Sequence, residues 1–356
     1  YKDRMKQIRY QLHSSFRIDS SMLVKTCVIK NSEAEYFWIL TFHHLIIDEV
    51  SIYILLNDIN CLLEKMSRKQ ELNLNSKTVS YLEWSQFVNR QRRIVQSNDN
   101  VHNPGENCSY TVPYSKDGTG ECNKVVISQS IPGICADDLL VHANSSYHTT
   151  TEELIIAAFV KVLYTLYPQE CIVLNIENNG RNLEEIDVSR TIGWFTSIYP
   201  VAFCIHEDSF DALIKNVKET MRNVSYSRRF YSLFDFENDS MHVNHGIKLN
   251  YSGQAYFKTE YMEILSPMNN DDTDENNIST YDLEINIIIF INQIYVNAVF
   301  DSRKYKIEQI QQLLSGFCEQ IAGIVNYCIN KNTIEFTPSD FGALDITQDE
   351  LDSLFD

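Results

Sequence analysis

Two adjacent histidines, His43 and His44, close an apolar run and stand just ahead of an acid, Asp48. Imidazole is the side chain best suited to moving protons near neutral pH, and a carboxylate one turn further on can orient a ring or hold the turn. If the pair ends a strand, neighbouring side chains point to opposite faces, so one histidine faces a cleft and the other packs. The plain structural alternative is a pair of hydrogen-bonded histidines at a strand end. Zinc is disfavoured, because no third ligand lies at a familiar spacing.

Glu177 is the second candidate. It ends another apolar run immediately before Asn178-Asn-Gly-Arg181, a turn, and a carboxylate where a strand leaves a sheet is well placed to reach a cleft. Arg181 can pair with Glu177 or with Asp48. Asn250 and Tyr251 end a third short strand and offer an amide and a phenol, groups that donate to a developing oxyanion. Trp194 and Phe195 read as core.

The elements that must position these residues are set by periodicity. Strands are expected at Lys25–Lys30, Tyr36–Phe42, Lys124–Ser130, Cys171–Glu177 and Ile247–Tyr251, with two more over Leu283–Phe300 joined near Asn292-Gln293. Helical spacing predicts helices over Val50–Met66, Val79–Val95, Ser209–Asn223 and Ile307–Asn330. Another opens at Thr149-Thr-Thr-Glu-Glu153, with Thr150 and Glu153 in capping-box spacing, and ends at Pro168. Residues 96–124 and 266–280 read as loops, and Thr337–Phe341 as a linker leading to a short helix. Alternating strands and helices define an α/β class.

Composition narrows the function. The chain has 356 residues and a net charge of −18, which argues against nucleic acid and anionic membrane surfaces. Nine cysteines without a C-x-x-C pair read as reduced, buried thiols rather than a disulfide framework. No apolar run is long enough to span a membrane. A cytoplasmic location is expected, in an internal piece of a larger protein.

Several of these segments together resemble the epimerization domains of nonribosomal peptide synthetases, within the condensation-domain superfamily. His43-His44-Leu-Ile-Ile-Asp48 is similar to the H-H-x-x-x-D-G motif, with Glu49 in place of Gly. Glu177-Asn-Asn-Gly-Arg-Asn182 resembles E-G-H-G-R-E, with Asn at 178, 179 and 182. Arg190-Thr-Ile-Gly-Trp-Phe-Thr-Ser-Ile-Tyr-Pro200 resembles R-T-V-G-W-F-T-x-x-Y-P almost throughout, and Leu249–Gln254 and Thr337–Phe341 resemble F-N-Y-L-G-Q and T-P-S-D-F. The family's Gly-rich segment is replaced by Ser225–Ser232, and its N-terminal Pro-Ile-Gln segment is not matched. The histidine motif is shared with condensation domains; the Glu177 and Arg190 segments favour the epimerization branch.

The resemblance implies a two-lobed chloramphenicol-acetyltransferase-like fold with a cleft between the lobes. The N-terminal lobe, residues 1–125, would be truncated; a C-terminal lobe would cover 126–336 and a linker tail 337–356. It implies a substrate held as a thioester on the phosphopantetheine of a partner peptidyl carrier domain, beside neighbouring synthetase domains, with no cofactor or metal bound directly. His44 and Glu177 would be the acid–base pair that inverts the α-carbon. Asn250 and Tyr251 would stabilise the oxyanion, His43 would pack, and Asp48 and Arg181 would form a structural ion pair. The alternatives are a condensation or cyclization domain that forms an amide bond, or a degenerate domain that only docks a carrier.

Overall fold

The computed structural model describes residues 2–355 except 21, 34, 98–111, 116–123, 132, 135, 182–184, 206–208, 225–245, 266–278 and 343–345. The expected loops at 96–124 and 266–280 lie mostly outside the described residues, and Ser225–Ser232 lies wholly outside them. The chain divides into two compact units. The first gathers Tyr1–Asn89, Asn179–Thr196 and Phe257–Glu263; the second gathers Arg90–Asn178, Ser197–Tyr256 and Ile264–Asp356. The division is therefore not a single cut near residue 125, because two later segments return to the first unit.

In the first unit, α1 (Lys2–Ser14) precedes an antiparallel pair, β1 (Val24–Lys30) and β2 (Tyr36–Phe42), registered from Val24 opposite Phe42 to Lys30 opposite Tyr36. The charged α1 escapes periodicity because it has little apolar face. Helix α2 (Glu49–Ser67) is capped by Asp48, whose side chain accepts from the Ser51 amide. Ser80 and Glu83 exchange side-chain and backbone hydrogen bonds at the start of α3 (Tyr81–Ser97), a capping box that fixes where the helix begins.

The second unit is built on a six-stranded sheet. Its strands are β3 (Lys124–Ser130), β4 (Cys171–Asn178), β5 (Ser197–Cys204), β6 (Ile247–Gln254), β7 (Leu283–Phe290) and β8 (Gln293–Asp301), in the order β3-β8-β7-β6-β4-β5. The β4–β6 and β6–β7 pairs are parallel and the rest antiparallel. Ile291 and Asn292 both adopt positive φ in the two-residue turn between β7 and β8, a geometry that matches the right-handed twist of the strands. Three helices complete the core: α4 (Thr151–Leu166), α5 (Phe210–Arg222) and α6 (Ile307–Ile329). The full capping box of Thr150 and Glu153 starts α4, and its Leu154–Val160 run is buried on every side. On α6, Ile310, Leu313, Leu314, Phe317, Ile321, Ile324 and Val325 repeat at helical spacing and bury one stripe.

Two expectations are corrected, and one strand was not foreseen: β5 begins within the Arg190–Pro200 motif and runs beyond it to Cys204. Cys171 and Cys204, which face each other across β4 and β5, form a disulfide rather than reduced thiols; Cys318 and Cys328 are free and buried. Residues 337–341 are not a linker: Pro338–Phe341 forms a 3-10 turn with Thr337 fully buried before it. What holds that turn is Lys218 of α5, which has no exposed side-chain surface. Its Nζ donates to Asp340 at 2.5 Å and to the Tyr147 carbonyl at 2.6 Å, while Arg222 donates to the other Asp340 oxygen at 2.7 Å. Burial pulls the Lys218 ammonium below its ordinary range, and Asp340 opposes that. Asp340→Ala takes the shared carboxylate from both cations, so a loss of about 3 kcal/mol of stability is expected in denaturant unfolding.

Candidate active site

The histidine motif takes its shape from the turn between β2 and α2. Strand β2 stops at Phe42, and His44–Ile46 form one 3-10 turn that leads through Ile47 to Asp48. His43 caps this turn: its Nδ1 accepts from the Leu45 amide at 3.2 Å, and its ring stands edge-on to Phe16. It is therefore committed to structure. His44 is exposed, and its ring lies 5.1 Å from that of Trp194. Trp194, expected in the core, is 40% exposed and borders the imidazole, while its neighbour Phe195 is fully buried.

Asp48 and Arg181 form the centre of this unit. Arg181 Nη2 donates to the two Asp48 oxygens at 2.9 and 3.1 Å and to Ser51 Oγ at 2.7 Å. Nη1 donates to the carbonyls of Val188 and Thr191, and the guanidinium lies 4.0 Å over the Phe195 ring. The two side chains, Arg181 and Asp48, are only 7% and 4% exposed. Asp48 also accepts from the Phe195 amide at 3.1 Å, and Ser51 Oγ accepts from the Gly193 amide while donating to its carbonyl. Arg190 adds a second tie, to Asp58 on α2 at 2.7 Å. The 190–195 segment is thereby laid onto α2.

Two glycines make this approach possible. A Cβ on Gly180, whose φ is +66°, would stand 1.8 Å from the Phe195 carbonyl oxygen. One on Gly193 would meet the Tyr81 ring at 2.1 Å. Tyr81 in turn donates to the Trp194 carbonyl at 2.7 Å, and burial together with nearby Asp48 raises its phenol above the ordinary range.

Glu177 belongs to the second unit, at the end of β4. Its partner is neither Arg181 nor solvent but Lys248 on β6, whose Nζ donates to Glu177 Oε2 at 3.0 Å and lies 2.9 Å from Glu284 Oε2 on β7. Sequence reasoning missed this lysine, although its place beside Asn250 on a short strand was visible. The carboxylates hold the ammonium charged: burial lowers it, but Glu177 and Glu284 outweigh burial and raise it well above the usual lysine range. Asn250 sits opposite Glu177 in the parallel register of β4 and β6.

Tyr251 does not join them. Successive strand residues face opposite sides, and Tyr251 packs with the main core beside Thr151 and Glu152 of α4. Its phenol is pushed up to about 12 by burial and by Glu152. Beyond it, the register of β6 shifts between Tyr251 and Gln254, where Gly253 adopts a φ of +76°. Glu152 itself is raised to about 7 by burial and by neighbouring Glu153. Nothing in the sequence marked it, because an acid in the first turn of a helix is ordinary. Among the described residues, no group of three or more His, Cys, Asp or Glu could hold a metal, and no helix is long and apolar enough to cross a membrane.

Comparison with known proteins agrees with this architecture. The family model described as the condensation domain matches residues 2–103 and 128–347, so the chain belongs to the condensation-domain family. Gramicidin S synthase 1 of Brevibacillus brevis is 25% identical over 372 residues, spanning 97% of this chain and 34% of its own length. Tyrocidine synthase 1 of Brevibacillus parabrevis is 27% identical over 376 residues, with the same two coverages. The chain thus spans about a third of the length of these relatives. Among solved structures, the epimerization domain from the third module of tyrocidine synthetase B superposes with a TM-score of 0.77 at 22% identity, covering 92% of this chain and 77% of that one. The first condensation domain of the calcium-dependent antibiotic synthetase, in complex with a substrate analogue, gives 0.62 at 14% identity, covering 91% and 75%. At these identities the structural likeness establishes the fold.

Two outcomes are expected of the groups described. Arg181→Ala leaves a buried, uncompensated Asp48 and should cost about 3–5 kcal/mol in denaturant unfolding. Arg181→Lys, which cannot reach both Asp48 and the two carbonyls, should recover only part of that. Glu152, protonated in the folded state up to about pH 7 against an ordinary value of 4.5, supports stability below pH 4.5 and loses that support as pH rises to about 7. Glu152→Gln should therefore raise the melting temperature at pH 8 and leave it nearly unchanged at pH 4.5.

Proposed function

We propose that this chain inverts the α-carbon of an aminoacyl or peptidyl thioester presented on the phosphopantetheine arm of a carrier domain. The thioester acidifies the α-hydrogen, so the reaction needs only a proton acceptor, a proton donor and stabilisation of the enolate. One of His44 and Glu177 removes the α-proton. The C–H electrons move into the carbon–carbon bond and the carbonyl oxygen becomes the oxyanion. The other residue then delivers a proton to the opposite face, and the carbonyl re-forms with inverted configuration. The two roles exchange when the reaction runs in reverse.

The observation that carries this reading is the setting of Glu177. A carboxylate at the end of a parallel strand, opposite Asn250 and ahead of the anchored Gly180-Arg181 turn, has no task in amide formation but is the second group that inversion requires. Asn250 is the oxyanion donor on that face, and Tyr251 steadies β6 from the other. The higher similarity to an epimerization domain than to the condensation domain cited supports the same branch. The condensation neighbours favour a second reading, in which His44 assists an attacking amine and an acceptor substrate is consumed.

The test is a carrier loaded with an α-deuterated L-aminoacyl or peptidyl thioester. Deuterium loss and the D-form are expected with the wild type. His44→Gln and Glu177→Gln should each slow both by at least about 100-fold. Full activity in Glu177→Gln sinks the two-residue scheme, and amide product without exchange supports the second reading.

A further inference from the structure

One face of the six-stranded sheet carries a line of polar side chains. Register places Glu177 beside Asn250, Asn250 beside Asn286, Asn286 beside Asn297, and Asn297 beside Ser128. Residues paired in this way share a face. Their strand neighbours Ile176, Leu249, Ile285, Ile287, Val296 and Ala298 are buried in the main core on the other face.

Asparagine is disfavoured in strands, yet Asn286 and Asn297 sit mid-strand, between Ile285 and Ile287 in Leu283–Phe290 and between Val296 and Ala298 in Gln293–Asp301. Both are half-buried, as is Asn250. Among the described residues none of these three side-chain amides is engaged by another group. Among the described residues none of the three carries a buried, unpaired polar atom, so their amides stay open to a partner from outside the sheet, and three of them in register offer a continuous hydrogen-bonding surface.

We propose that this row binds the backbone of an extended peptidyl chain, so that the substrate is a peptidyl thioester rather than a single aminoacyl thioester. The inference rests on the epimerase reading, because it sets the reacting α-carbon at the Glu177 end of the row. Strands lie about 4.8 Å apart, so Glu177 to Asn297 spans roughly 14 Å, the length of about four extended residues. Each asparagine presents both a donor and an acceptor, the pair of groups a peptide unit needs. On one side the row is bordered by Lys248 and Glu284, already joined to each other. On the other side Ile288 and Tyr295, paired with each other further along β7 and β8, offer an apolar border for peptide side chains.

The test uses a carrier protein bearing stable amide analogues, one with a single amino acid and one with a tetrapeptide ending in the same residue. Wild-type protein is expected to bind the tetrapeptidyl carrier roughly tenfold more tightly. Asn286→Leu combined with Asn297→Leu should remove most of that difference. Should the leucine pair not fold, as judged by its melting profile, Asn286→Thr with Asn297→Thr keeps strand propensity and is expected to remove it as well. Equal binding of the two carriers by the wild type overturns the proposal. So do equal losses on both carriers in the variants, which would assign the row to the pantetheine arm or to the fold. Selective tetrapeptide binding through the asparagines without α-deuterium exchange would keep the binding row and remove the epimerase reading instead.

Discussion

Burying Asp48 and Arg181 together strips both charges of water, a penalty that attraction alone does not offset unless every remaining lone pair and donor is used. Here most of them are. Asp48 receives the Arg181 guanidinium and the amides of Ser51 and Phe195, while Arg181 directs its other donors to Ser51 Oγ and two carbonyls. One carboxylate therefore caps α2, fixes the return of the 190–195 segment and closes the turn that begins at His44. Remove it, and three pieces of chain far apart in sequence lose their common anchor. The chemistry of a motif and its structural work need not reside in the same residue: in this motif His44 is exposed, whereas His43 and Asp48 are consumed by the fold.

The second unit answers a different constraint. A sheet whose central strands are parallel needs cover on its faces, and α4 and α6 supply an apolar layer against one of them. The opposite face is free to be polar, and there β4, β6 and β7 bring Glu177, Lys248 and Glu284 together. Two carboxylates sharing one ammonium hold each other in place through it, so Glu177 is fixed by a partner of its own face rather than by the Gly180-Arg181 turn just beyond it in the chain.

The fold was legible wherever one periodicity and one cap agreed. The Thr150–Glu153 capping box and the apolar run behind it defined α4, alternation defined β1, and a continuous apolar run ending at the histidines defined β2. What was hidden was hidden for physical reasons. Strand β5 carries a proline and begins inside a motif whose glycine and aromatic residues break the alternation. Helix α1 is too polar to show an apolar stripe. The 337–341 turn is held by Lys218 and Arg222, more than a hundred residues earlier, and no local pattern announces a partner at that distance. Of the candidate site, the residues were readable and their pairings only partly so: Asp48 with Arg181 was one of two options for that arginine, whereas Lys248 on Glu177 depends on strand order. The disulfide likewise depends on β4 and β5 being neighbours.

Strand order and turn geometry also bear on the positions where this sequence departs from the epimerization-domain pattern. Glu49 stands where glycine is usual, yet it is the first residue of α2, where helical backbone needs no positive φ and a carboxylate suits the helix N-terminus. Asn179 stands where the family has histidine, and its Oδ1 accepts from the Arg181 amide at 3.0 Å, tightening the turn that delivers the guanidinium. Gly180 is retained, and there a positive φ coincides with a carbonyl oxygen inside the space a Cβ would fill. At Glu49 and Asn179 the substitution thus falls where the backbone tolerates a side chain, and the glycine that the ion pair requires is kept.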